Sequence, residues 1–111
     1  MESDQAAGYA SWRPAPLPDP WVITPSALRA ALEAEVKAEI ADGHELSGLP
    51  VTAIARCGAC DDVVFCIETS PVWFALVHLT WRQRREQPPW PVTRRLTLPL
   101  SASLGAHSHV A

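Results

Sequence analysis

No apolar run in this 111-residue chain approaches the roughly 18 residues that cross a bilayer, so a membrane-spanning helix is not expected. Cysteine is scarce: three residues, an odd number and too few for a disulfide scaffold. The opening MESDQAAGYASW carries two acids, no base and no continuous apolar stretch, unlike a secretory leader. A cytoplasmic, thiol-reducing setting is the resulting expectation. Phosphate-binding glycine loops, His-Glu-x-x-His and paired cysteine knuckles are also missing, and no catalysis is expected.

What is present is 48% apolar and 19% charged, the balance of one globular domain. The net charge of −3 is split unevenly. Five arginines (Arg82, Arg84, Arg85, Arg94, Arg95) and one acid, Glu86, give residues 82–95 a charge of +4, while four bases face eleven acids elsewhere, or −7. Such a body repels nucleic acid and anionic membranes except at that one segment.

Of the eleven prolines, seven bracket the structured part, in RPAPLPDP before it and PPWP after it. Four lie in RPAPLPDP, and because proline removes the amide proton that ladders and helices need, residues 1–20 read as a disordered, proline-rich arm. Residues 21–92 read as a single α+β domain, and residues 93–111 as a loosely ordered C-terminal segment.

Within the domain, TPSALRAALEAEVKAEIAD (24–42) predicts a helix with Thr24 as cap, Pro25 in the first turn and Gly43 as terminator. Leu28, Leu32, Val36 and Ile40 recur every four residues as its buried stripe, opposite Glu33 and Lys37. Three β-rich runs follow, at 51–57, 62–67 and 72–81, joined by links of hairpin length. One amphipathic helix on a three-stranded antiparallel meander is predicted, with an edge strand around Leu96, Leu98 and Leu100 as an optional fourth.

Four-residue loops in both hairpins would place Ala53, Ala55, Val64, Cys66, Trp73, Ala75, Val77, Leu79 and Trp81 on one face, beneath the helix. The other face would collect Ile54, Val63, Phe65, Ile67, Val72, Phe74 and Leu76. An antiparallel sheet carrying one helix ordinarily keeps one face polar, yet neither face here is polar. The second face therefore needs a cover: the chain's own tails, a second copy or another protein. From this comes the functional expectation of a non-enzymatic interaction protein that self-associates, as a homodimer, through Ile54, Val63, Phe65, Phe74 and Leu76. Recognition of a partner in the manner of an immunity protein or antitoxin is one form of it.

Two alternatives stay open. Cys57, Cys60 and His78 could hold zinc, with Asp61 completing the set, since the register puts His78 opposite Asp61. The plainer reading of Cys-Gly-Ala-Cys is a hairpin turn, and a redox pair would need a helix after the first cysteine where a strand follows. Arg82, Arg84 and Arg85, flanked by Trp81 and Trp90, have the composition that tracks single-stranded nucleic acid, but the plainer reading is a solvated loop.

The strands Asp61–Phe65 (DDVVF) and Val77–Trp81 (VHLTW), with Gly48–Val51 before them and Pro-Pro-Trp-Pro after, resemble a group of small uncharacterised bacterial proteins. The resemblance spans residues 43–92 and implies a compact helix-plus-sheet domain with no known activity. The cysteine turn is not a feature of that group. From Arg95 onward the chain also lacks the tyrosine- and acid-containing segment expected there, so what that segment covers would be left bare.

Overall fold

The computed structural model describes residues 17–87, 90–98 and 100–105. The first sixteen residues of the expected arm lie outside the described residues. Five strands form one antiparallel sheet in chain order: β1 (Trp21–Ile23), β2 (Val51–Cys57), β3 (Asp62–Ile67), β4 (Trp73–His78) and β5 (Thr93–Leu96). Helix α1 (Ser26–Glu39) lies between β1 and β2, and a short helix α2 (Leu100–Gly105) follows β5. The class is α+β as expected, with two more strands than the meander alone. No helix among the described residues is long and apolar enough to cross a membrane.

Helix α1 is shorter than its apolar pattern suggested. Thr24 precedes a proline, which disfavours helical backbone, and Pro25 itself is extended (φ −64°, ψ 149°) and serves as N-cap without a side-chain hydrogen bond. Thr24 instead donates its backbone N–H to the Ile54 carbonyl at 3.0 Å, tying the start of the helix to β2. At the far end Ile40 is already extended (ψ 119°), and Gly43 takes its left-handed φ of 93° in the turn beyond.

Register decides the two faces, and here the structure corrects the sequence reading. In β2–β3, Val51, Thr52 and Ala53 face Ile67, Cys66 and Phe65, but a bulge at Ile54 shifts the pairing so that Ala55 faces Val64. The β3–β4 link has five residues rather than four, so Asp62 faces His78 and Phe65 faces Ala75. Each one-residue difference turns a strand's side chains over. One core cluster therefore gathers Val63, Phe65, Ile67, Val77 and Leu79 under Leu32, Val36 and Leu46. The other gathers Ile54, Ala55, Val64, Cys66, Phe74 and Leu76 with Trp21, Leu96, Leu100 and Leu104.

The second face is thus covered by the chain itself. Leu17 packs against it from one terminus, and Leu100 and Leu104 of α2 close it from the other. Residues 93–105, read from sequence as loosely ordered, supply β5 and α2, which do this covering.

Candidate functional site

The feature that neither propensity nor packing accounts for is the loop that leaves β4. Trp81 and Gln83 have φ values of 62° and 59°. Left-handed backbone costs residues with a Cβ about 1–2 kcal/mol each, and such conformations persist only where the surroundings over-determine them.

The surroundings here are two buried carboxylates on the last turns of α1. Glu39, fully buried, accepts the N–H of Thr80 at 2.9 and 3.1 Å on its two oxygens and that of Trp81 at 2.9 Å. Glu35 accepts the N–H of Gln83 at 3.1 Å. The Glu39 carbonyl takes the N–H of Glu86 at 2.9 Å, and the Thr80 hydroxyl donates to the Glu86 carboxylate at 2.8 Å. Burial, then the hydrogen bond and negative charge of Glu35, push the Glu39 carboxyl up to about 7, against the opposing pull of the Thr80 and Trp81 amides.

The return of the loop is pinned separately by His44, which is buried. Its Nδ1 accepts the N–H of Leu46 at 3.0 Å, so the proton resides on Nε2, which donates to the Pro91 carbonyl at 2.9 Å. Between these anchors the loop presents Trp81, Trp90 and Val92, which are 44%, 48% and 44% exposed, together with exposed Arg82, Arg84 and Arg85.

Two cavities include residues of this loop in their lining. One, of about 480 Å³, is lined by Asp61, His78, Thr80, Arg82, Glu86 and Trp90. Its histidine is oriented from behind: Nδ1 sits 2.6 Å from Oδ1 of buried Asp62, while the His78 side chain remains 38% exposed. The other, of about 490 Å³, lies between α1, the turns after it and Arg85.

The residues singled out from sequence fall as follows. The five proposed for docking do not share a surface: Ile54, Phe74 and Leu76 belong to the tail-covered cluster, Val63 and Phe65 to the helix-covered one, and all are buried. The bulge and the longer second loop are the reason. Of the cysteine turn, Cys57 is in the core, where its Sγ accepts the Ala59 N–H at 3.3 Å, and Cys60 packs against the same cluster. Burial, and after it the hydrogen bond with Cys57, push the Cys60 thiol up to about 12. His78 is held by Asp62, its actual partner across the strands, rather than by Asp61. Among the described residues no three His, Cys, Asp or Glu side chains are grouped to hold a metal ion. Arg82, Arg84 and Arg85 are together on the clamped loop.

Sequence reasoning missed Glu35, Glu39 and His44. A signal for the glutamates existed, because they follow Leu32 and Val36 by three residues, the spacing of neighbours on one helical face. Comparison with family models, curated proteins and solved structures found no match. The reading of function therefore rests on the chain's own geometry.

Proposed function

We propose that this chain is a non-catalytic binding protein that recognises an acidic protein surface through the loop between β4 and β5. The observation that carries the proposal is the pairing of exposure with anchoring: Trp81 and Trp90 are exposed beside backbone held at Thr80, Trp81 and Gln83 by buried Glu35 and Glu39 and at Pro91 by buried His44. Tryptophan and arginine dominate the energetics of protein contacts, and a pre-organised loop loses little conformational freedom on binding. The charge of +4 over residues 82–95, which run from this loop into β5, steers it toward an acidic partner. A second copy qualifies, because the rest of the chain carries −7.

The test compares the parent chain with a Trp81→Ala/Trp90→Ala variant by native mass spectrometry, for self-association, and by quantitative co-purification from the native host. The variant is expected to fold normally and to lose its association by at least about tenfold, equivalent to about 1.4 kcal/mol. Undiminished association at unchanged fold would exclude this loop as the contact.

A further inference from the structure

We infer that the cavity between α1, the turns at 42–50 and Arg85 binds a small monocarboxylate carrying an apolar body. The site is distinct from the aromatic surface of the loop and independent of the reading above.

Its volume, about 490 Å³, lies within the usual range of small-molecule sites. The apolar part of its lining is the rim of the helix-covered core: Leu46 and Val51 are buried, while Ile40 and Leu49 pack against that core and remain partly accessible. Two cations from separate elements border it, Lys37 in the last turn of α1 and Arg85 on the clamped loop, against one acid, Asp42. The border therefore carries a net +1. Among the described residues neither Lys37 nor Arg85 forms an ion pair.

The position of Arg85 follows from the buried clamp. Its neighbour Glu86 is held at both ends, by the N–H bond to the Glu39 carbonyl and by the carboxylate's bond from Thr80. Arginine and lysine facing one cavity favour a carboxylate, to which charge-assisted hydrogen bonds are the stronger kind. Asp42 opposes a second negative charge on the ligand, which favours a monoanion over a phosphate dianion. An ammonium group would meet two like charges, and a neutral alcohol would leave both cations without compensation.

Octanoate is the probe, with octanol and octylammonium as matched controls, each titrated below its aggregation concentration and followed by amide resonances of the full chain. The expected result is saturable shifts centred on Ser47, Gly48 and Leu49 with octanoate, binding at least tenfold weaker with octanol, and none with octylammonium. Lys37→Glu and Arg85→Glu, both at exposed positions, should each weaken octanoate about tenfold, and Arg85→Gln gives a gentler second variant. Trp81→Ala/Trp90→Ala should leave octanoate binding unchanged, which separates this site from the partner surface. Equal affinity for octanol and octanoate, shifts centred elsewhere, or full affinity in both charge-reversed variants would overturn the inference.

Discussion

The two faces of the sheet are equally apolar but are sheltered in different ways. Beneath α1, a 14-residue helix whose apolar stripe is legible in its own sequence lays Leu32 and Val36 on Phe65, Val63 and Val77. On the opposite face the shelter is assembled from pieces: Leu17 and Trp21 from one side, Leu100 and Leu104 of a six-residue helix from the other. A helix that short does not persist without tertiary packing, so this cover exists only while α2 and Leu17 are docked on the sheet. The face expected to self-associate is not a single layer: Ile54, Phe74 and Leu76 lie on the tail-covered side and Val63 and Phe65 beneath α1, and the chain covers both.

Phe74→Asp is the severest way to break this comparison. Phe74 is 2% exposed on the tail-covered face, and an aspartate there would be a charge in an apolar cluster. The expected result is a loss above about 4 kcal/mol and an unfolded chain. Circular dichroism and sedimentation read the outcome. A folded, soluble monomer would show that the face is open in solution and that α2 does not shelter it.

A smaller effect separates the faces by pH. The helix-covered side ends in the Glu35–Glu39 pair, and Glu39, raised from 4.5 to about 7, holds its proton more tightly in the folded chain than in the unfolded one. Between those two values the folded state binds more protons, so this group's contribution to stability is complete below about pH 4.5 and is lost as pH rises to about 7. The full loss is about 3 kcal/mol. Urea unfolding at several pH values should show the decline, and Glu39→Gln should flatten it. A parental slope that survives in the variant would assign the pH dependence to other groups.

The helix and the three long strands were legible because each carries many residues in one period. Strand β1 was not, since three residues are too few to establish alternation; the optional edge strand expected around Leu96, Leu98 and Leu100 is instead β5, Thr93–Leu96, and Leu100 opens α2. The faces were misassigned for a local reason, since a single bulge at Ile54 and one extra loop residue reverse which side chains meet. The candidate loop was visible as arginine and tryptophan, but its clamp was hidden by an over-regular stripe. Residues four apart drift about 40° around a helix at each step, so Leu28 and Ile40 stand about 120° apart and cannot face the core equally. Leu28 is in fact 41% exposed, and the space on that side of Leu32 and Val36 is taken by Glu35 and Glu39.

The smallest expected effect lies where the two kinds of cover meet, at the junction of β1 and α1. Thr24 is 2% exposed and its backbone is bonded to Ile54, yet its hydroxyl has no hydrogen-bond partner among the described residues. A buried hydroxyl in that condition pays for desolvation with nothing in return, and valine keeps its shape without the oxygen. Thr24→Val should therefore be neutral or stabilising by up to about 1 kcal/mol, measured by urea unfolding. A loss of that size would mean that the hydroxyl is satisfied in solution. The entry to α1 would then be fastened to the sheet by a polar bond as well as by packing, which would widen the contrast between the helix-covered face and the tail-covered one.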